Sequence, residues 1–201
     1  FDDGFENNYS VAAPILDDLK MPTTFFFSTD FIENNTMSWI DKIEFCFEKK
    51  NELLINLPWL KKKLIITDKK TKIQVLNSIR SKVKNNFFYN EDKLVRSIFS
   101  DCNLKLINNS NLDIDKKISW RKVKTMSQNN LFDFGGHNHH HLSFGAMSKK
   151  KINFEINKCF ELFLKKGGIK LECYSYPEGQ SVDFNQDVIK KLKNKKIMFC
   201  P

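Results

Sequence analysis

The order of apolar and amphipathic segments predicts an α/β protein with a parallel sheet or barrel. The nearly continuous apolar run over 23–28 is typical of a strand that is buried on both faces. Residues 149–166 place their apolar side chains on one helical face and end at Gly167 and Gly168, as a helix C-terminus does. Strands that alternate with helices are joined by right-handed crossovers, so neighbouring strands are expected to be parallel.

The remaining elements follow from the same patterns. In chain order we predict the end of a strand at 1–3, a helix over 8–20, the strand over 23–28, a strand over 131–135 that ends in a Gly-Gly turn, the helix over 149–166, a strand over 169–176, a helix over 183–193 and a strand over 197–200.

Residues 34–118 interrupt this rhythm. They are rich in Lys and Asn, and most of their apolar spacing is helical, as in the segment from Ile73 to Val83. Strand signals are weak there, with Leu64–Ile66 as the candidate. We interpret 34–118 as a helical insertion after the second strand, within a single catalytic domain over 1–201.

Composition narrows the classes of protein. The 201 residues are 41% hydrophobic, which fits one globular domain, and the apolar runs are too short to span a bilayer. The net charge of +9 comes from scattered Lys, whereas a nucleic-acid-binding face would interleave Arg and aromatic residues. We therefore predict no nucleic-acid partner and no membrane span, and the sequence does not indicate an oligomeric state.

The five Cys residues show no C-x-x-C spacing, so neither a disulfide framework nor a Cys-based zinc site is predicted. Reduced thiols make a cytoplasmic location the default expectation. The chain begins at Phe1 without an initiator Met, so we expect it to be part of a longer protein whose targeting segment, if any, lies outside it.

Two adjacent carboxylates, Asp2 and Asp3, precede Gly4 at the first strand end. Neighbouring side chains on an extended backbone point in different directions, so one carboxylate could bind a metal while the other faces a water. Taken alone, the segment is better explained as a solvent-exposed turn.

All four His residues of the chain lie within 137–141, directly after a predicted buried strand. On the first turn of a helix, His137 and His141 would share one face and could reach one metal ion. Two imidazoles and one carboxylate, with positions left for water, are a common ligand set for catalytic zinc or a similar divalent ion. The alternative is a His-rich polar loop or an adventitious metal site.

A third segment, Tyr176-Pro177-Glu178, also follows a predicted strand. Pro before a backbone N–H that turns inward can shape a pocket for an oxyanion. An ordinary β-turn explains this segment equally well.

Together these segments resemble the polysaccharide deacetylase family, also called the NodB homology domain or carbohydrate esterase family 4. Residues 1–4 match the Phe-Asp-Asp-Gly of its first motif, and 137–141 are similar to its His-Ser/Thr-x-x-His motif. Residues 174–179 look like the Tyr-Pro variant of its third motif. The resemblance covers about 1–33 and 119–201.

The resemblance implies a distorted (β/α) barrel, incomplete in this chain, and a metal-dependent hydrolase that removes N-acetyl groups from amino sugars of an acetylated carbohydrate. It implies Asp2 as the general base that takes a proton from a metal-activated water. It also implies Asp3, His137 and His141 as ligands of a divalent ion, zinc in the first place, with cobalt, nickel or iron(II) as alternatives. The backbone N–H of Glu178, positioned with Tyr176 and Pro177, would stabilise the oxyanion.

The chain departs from the family pattern at several places. Asn138 replaces the usual Ser or Thr, Ser175 stands where many members have Arg, and Glu178 stands where an aromatic residue is common. No His follows His141, so the His that serves as general acid in the family is expected beyond Pro201.

Other functions remain open at this point. The same residues suit an O-acetyl esterase or a deformylase that acts on a lipid-linked sugar, and the same fold could be an inactive glycan-binding module. In a barrel, a loop after the second strand overhangs the active-site face, so we hypothesise that 34–118 is a lid. Its Lys61, Lys62 and Lys63 would contact a negatively charged group on the substrate, or the insertion only packs and is solvated.

Overall fold

The structure is a computed structural model that describes residues 1–84, 90–109, 112–145 and 147–200. Two units can be separated: Phe1–Thr36 with Asn109–Pro201 form the first, and Met37–Asn108 form the second. In chain order the elements are β1 (Asp2–Asp3), a π-helical turn (Asn8–Ala12) that leads into α1 (Ala13–Asp18), β2 (Thr23–Phe27), α2 (Thr29–Asn34), α3 (Trp39–Lys49), β3 (Leu53–Ile55), β4 (Leu64–Ile66), α4 (Lys69–Lys84), α5 (Glu91–Asp101), α6 (Trp120–Met126), β5 (Phe132–Gly136), α7 (Lys149–Leu162) with a π-helical end (Phe163–Gly167), and α8 (Gln186–Asn194).

A parallel sheet organises the first unit. Its strand order is β1-β2-β5, and both neighbouring pairs are parallel. Parallel pairing continues beyond β5 through single bridges, from Gly136 to Tyr174 and from Cys173 to Phe199. Successive segments of the chain therefore lie side by side with helices between them, which is the predicted α/β order.

Aromatic side chains of β2 and β5 form the centre of the first core. Phe25 and Phe27 of β2 are fully buried, and Phe26 on the other face is also buried, as the apolar run predicts. Phe25 stacks on Phe134 with ring centroids 5.9 Å apart and meets Phe132 edge to face at 5.4 Å. This packing fixes the register of the two strands whose ends carry the candidate site.

The Gly-Gly turn predicted at the end of the strand over 131–135 is wrong. Gly135 and Gly136 are the last two residues of β5. A Cβ on Gly135 would lie 2.3 Å from the Phe26 ring, and one on Gly136 would lie 2.6 Å from the Tyr174 ring. The glycines are therefore needed for close approach of aromatic rings to the strand.

The strands predicted over 169–176 and 197–200 are longer than the pairing in the described residues. Backbone hydrogen bonds join Gly136 to Cys173 and Ser175, and Tyr174 to Phe199. An alternating apolar pattern indicates which residues are buried, but a strand also needs a neighbouring strand that pairs with it along its length. The helix predicted over 183–193 begins three residues later, at Gln186.

The second unit has its own core. α3, α4 and α5 pack with the antiparallel pair β3-β4, and the buried side chains include Cys46, Phe47 and Ile98. The candidate strand Leu64–Ile66 is confirmed, whereas its partner β3 was not predicted. Whether this segment is an insertion within one catalytic domain stays a prediction.

The two ends of the second unit are adjacent, because the Met37 N–H donates to the Asn108 carbonyl at 2.8 Å. Among the described residues, no helix combines the length and the apolar character that crossing a membrane requires.

Candidate metal centre

Asp3, His137 and His141 converge at the carboxyl end of the parallel sheet. Asp3 ends β1 and His137 directly follows β5, so strand pairing brings their backbones together. Asp3 Oδ1 lies 2.9 Å from His141 Nε2 and 3.5 Å from His137 Nε2. One ligand-capable atom from each residue lies within 4.8 Å of the others. The structure thus brings together the three residues that the sequence singled out as ligands.

The helical turn predicted for the His segment is wrong. Residues 137–141 form an irregular loop in which Asn138 and His141 adopt left-handed backbone conformations, with φ of 69° and 56°. The loop therefore reverses direction, and the His137 and His141 rings meet with centroids 5.0 Å apart. Convergence of the imidazoles comes from this reversal and not from helical spacing.

Asn138 holds the reversed loop in place. Its fully buried side chain accepts a hydrogen bond from the His139 N–H at 2.6 Å and donates to the Leu142 carbonyl at 2.7 Å. Two further bonds run from the start of α2, because the N–H groups of Thr29 and Asp30 donate to the carbonyls of Asn138 and His139. An amide at position 138 can thus serve as a local clamp where the family usually has a hydroxyl.

The protonation of His137 is set by its surroundings. Its Nδ1 lies 3.0 Å from the Ser175 carbonyl, which can only accept, so Nδ1 carries the proton. Burial is the main cause that lowers the pKa of His137, and the neighbouring His141 adds to the effect. The neutral ring therefore presents an Nε2 lone pair towards Asp3, which is the form that binds a metal.

Asp3 is the anionic member of the cluster. Burial alone would raise its pKa, but the close contact with His141 is the main cause that holds the pKa below its usual value. Its Oδ1 is buried and receives no hydrogen bond of regular geometry from the described residues. A carboxylate oxygen that faces an imidazole lone pair is satisfied by a cation, so the donor set fits a divalent ion.

Two contacts of this centre had no signal in the sequence. Phe31 of α2 stacks on the His141 ring with centroids 5.5 Å apart. Buried Lys117 places its ammonium over the rings of Phe5 and Phe31, and its charge contributes to the lowered pKa of Asp3. These residues come from segments without a motif, so only the fold brings them to the site.

The remaining predicted site residues lie around the three ligands. Asp2 is exposed, and its charge acts on His137, where it favours the protonated ring. Pro177 is buried, Tyr176 stacks on Phe184 at 4.5 Å, and exposed Glu178 has a left-handed φ of 68°. The catalytic roles assigned to Asp2, Tyr176, Pro177 and Glu178 stay predictions.

The fold is similar to several solved structures of low sequence identity. The deacetylase PplD of Streptococcus pyogenes, in complex with acetate, has 13% identity and a TM-score of 0.54, with 98% of this chain and 51% of that chain covered. A de-N-acetylase from Aggregatibacter actinomycetemcomitans has 14% identity and a TM-score of 0.53, with 100% and 60% covered. BA3943 from Bacillus anthracis, described as a carbohydrate esterase family 4 pseudoenzyme, has 11% identity and a TM-score of 0.52, with 100% and 40% covered.

These likenesses confirm the predicted fold class, a mixed α/β fold with a parallel sheet like that of the deacetylase structures. The chain spans only about half of the first of these structures and three fifths of the second. No curated protein matches the chain in sequence.

The sequence model that describes polysaccharide deacetylases matches residues 68–199, about two thirds of the chain. The match includes the His loop and the segment around Tyr176 and Pro177, whereas Asp2 and Asp3 precede it. The chain therefore belongs to the polysaccharide deacetylase family.

Proposed function

We propose that this chain is the catalytic part of a metal-dependent hydrolase that removes N-acetyl groups from the amino sugars of a polysaccharide or a glycan precursor. The observation that carries the proposal is the convergence of Asp3, His137 and His141 around a buried carboxylate oxygen, to which no described residue donates a hydrogen bond of regular geometry. Membership of the polysaccharide deacetylase family supplies the substrate class.

Each proposed ligand is held for its task by a neighbour. The Ser175 carbonyl fixes the His137 ring, Phe31 supports the face of His141, and the end of β1 positions Asp3. A divalent ion held there, zinc or alternatively cobalt, nickel or iron(II), would supply Lewis-acid polarisation of the scissile carbonyl and of the attacking water.

Asp2 is proposed as the general base. Its carboxylate is exposed to solvent while that of Asp3 is committed to the imidazoles, so the two adjacent acids have different surroundings. Asp2 would take the proton of the attacking water. The C–N bond then breaks, the amine nitrogen takes up a proton, and the products are acetate and a free amino sugar.

The backbone N–H of Glu178 is proposed to donate to the oxyanion. Buried Pro177 fixes the chain just before it, and the left-handed φ of Glu178 turns the backbone at this point. The hydrogen bond from the His137 ring to the Ser175 carbonyl links this segment to the proposed ligands.

The test is acetate release from N-acetylglucosamine oligomers by the protein that contains this chain. Replacing Asp2 with Asn removes the base but leaves the ligands, so we expect the rate to fall by about 10²–10⁴-fold while zinc is retained. Asp18→Asn is the matched control, because Asp18 is an exposed acid of α1; this variant should keep the full rate.

The other activities predict different products in the same assay. Acetate from O-acetylated glycans alone would identify an esterase, and formate from a formylated lipid-linked amino sugar would identify a deformylase. Zinc and glycan binding without release of acetate or formate from any of these substrates would contradict a catalytic role and favour a binding module.

A further inference from the structure

The His loop directs its imidazoles to two different places. His137 and His141 face Asp3, whereas His139 and His140 meet each other with ring centroids 4.2 Å apart. Asp30 completes this second group, and one ligand-capable atom from each of Asp30, His139 and His140 lies within 4.8 Å of the others. The proposed deacetylation uses none of these three side chains.

Both rings of the second group are oriented through Nδ1. His140 Nδ1 lies 2.8 Å from Glu155 Oε1, and the His140 N–H donates to Glu155 Oε2 at 3.1 Å. His139 Nδ1 lies 2.8 Å from the hydroxyl of buried Thr29. These bonds leave Nε2 of each ring for a cation, the arrangement in which a carboxylate or hydroxyl behind an imidazole aims it at a metal.

Glu155 strengthens this interpretation because it is a charged side chain of α7 that is only 1% exposed. A buried carboxylate is costly unless it is paired, and both its oxygens bind one residue, His140. Phe154, the preceding residue, stacks on the same ring at 6.1 Å. The conformation of the His140 side chain is therefore fixed by its contacts with Glu155 and Phe154.

Asp30 approaches from α2. Its N–H donates to the His139 carbonyl at 2.9 Å, which fixes the helix start against the loop. Its Oδ1 accepts from Asn34 Nδ2 at 2.6 Å, so Oδ2 is left as a ligand atom. His139 is buried, but 40% of the His140 side chain is exposed, so solvent can complete a coordination shell.

We propose that Asp30, His139 and His140 bind a second divalent ion. Two imidazole nitrogens and one carboxylate suit zinc, cobalt or nickel, whereas magnesium and calcium prefer oxygen ligands alone. Because the three residues connect α2, the His loop and, through Glu155, α7, the ion has a structural role. It stabilises the loop that also carries His137 and His141.

The test measures how many zinc ions the full chain binds. The chain is first freed of metal with a chelator and then equilibrated with zinc by dialysis, and the bound zinc is counted by elemental analysis. The hydrogen bond with Glu155 raises the pKa of His140, so mildly alkaline buffer keeps protons from competing. We expect two zinc ions per chain. His140→Gln and Asp30→Asn should each retain one, and so should the matched variant His141→Gln; the double variant His140→Gln/His141→Gln should retain none.

The contact between Glu155 and His140 is tested separately by Glu155→Gln, which keeps the shape of the side chain but removes its charge. We expect this change to weaken the second zinc by about 10–100-fold and the first zinc by a smaller factor, because both sites share the His loop. Circular dichroism establishes that each variant is folded. If Asp30→Asn fails to fold, His140→Gln decides the matter, because its ring is partly exposed.

One zinc per chain that is lost in His141→Gln and kept in His140→Gln would overturn the proposal, and the second group would be a polar clamp only. Two zinc ions that survive both His140→Gln and Asp30→Asn would also overturn it. The counts are independent of catalysis, since an inactive chain with two zinc ions would contradict the proposed function and not this site.

Discussion

Gly136 helps to position His137, the first of the candidate imidazole ligands. The residue lies at the end of β5, bridges to Tyr174, and is followed at once by His137. The fully buried Tyr174 ring occupies the space that a side chain at position 136 would need. Packing therefore requires a residue without a Cβ at this position, and a change to Ala, which adds only a methyl group, tests that requirement.

Gly136→Ala is expected to destabilise the first unit by about 1–3 kcal/mol and to weaken zinc binding at the first centre. The added Cβ would lie 2.6 Å and 2.7 Å from two ring carbons of Tyr174 and 3.1 Å from Cys159 Sγ, so the strand end must shift. Urea unfolding of a Trp39→Phe/Trp59→Phe background measures the effect, because Trp120 then reports on the first unit alone.

Gly167→Ala is the matched control for this change. Its added Cβ would meet nothing closer than 3.4 Å, the ordinary distance for van der Waals contact. A loss of stability in this variant as large as in Gly136→Ala would mean that the crowding at Tyr174 is not the cause.

At the scale of single residues, the sequence predicted the cluster of Asp3, His137 and His141 but not its surroundings. Residue type, position at strand ends and family resemblance were sufficient for the cluster itself. The left-handed conformations of Asn138 and His141 could not be predicted from residue type, because Asn and His adopt this conformation more often than other non-glycine residues but still only in a minority of cases. Contacts from Phe31 and Lys117 depend on tertiary structure alone.

Among the elements, α8 shows how a helix start can be tied to the site. Asn185 caps α8 by accepting from the N–H groups of Asp187 and Val188. The same side chain donates to the carbonyls of Phe144 and Gly145, in the segment that follows His141. One amide thus stabilises both the helix and the chain leaving the His loop.

Replacing Asn185 separates these two contributions. Asn185→Ala loses the cap and the two bonds to the carbonyls of Phe144 and Gly145, so the free energy of unfolding should fall by about 2 kcal/mol. Asn185→Asp keeps an acceptor for the cap but cannot donate, so its loss should be about 1 kcal/mol. The Trp120-only background provides the measurement.

If Asn185→Asp is as stable as the unchanged chain, the bonds to Phe144 and Gly145 contribute nothing. Equal losses in the two variants would mean that the cap contributes nothing. Either result would contradict the double role of Asn185.

Elements with strong periodicity were predicted well, and short or irregular ones were not. β2 and α7 carry clear apolar patterns and lie within a few residues of their expected bounds. The segments 169–176 and 197–200 look equally strand-like but pair at single bridges. The π-helical end of α7 and the three-residue strand β3 contain too few residues for a periodic apolar pattern to be detected in the sequence.

At the scale of the whole chain, the two ends of the second unit lie next to each other. The hydrogen bond between Met37 and Asn108 means that a short linker can replace everything between them. Joining Thr36 to Asn109 through a few Gly and Ser residues should leave the first unit folded. We expect this shortened chain to bind the same number of zinc ions as the unchanged chain, by elemental analysis.

Activity of the shortened chain tests the proposed lid. A lid predicts a raised Michaelis constant, and a lid that binds charged glycans predicts the same effect from Ala at the exposed Lys61, Lys62 and Lys63. Unchanged Michaelis constants for charged and neutral glycans in the triple variant would contradict the charged-substrate hypothesis. Loss of zinc binding on deletion would contradict the independence of the metal centre.

The closed ends of the second unit also bear on the order of folding. Before β5 can pair with β2, the chain must close a loop that contains the whole of residues 37–108. If those residues fold first, their ends are already joined, and the remaining loop is about a third as long. The entropic cost of closure then falls by about 1 kcal/mol, so early folding of the second unit should accelerate assembly of the sheet.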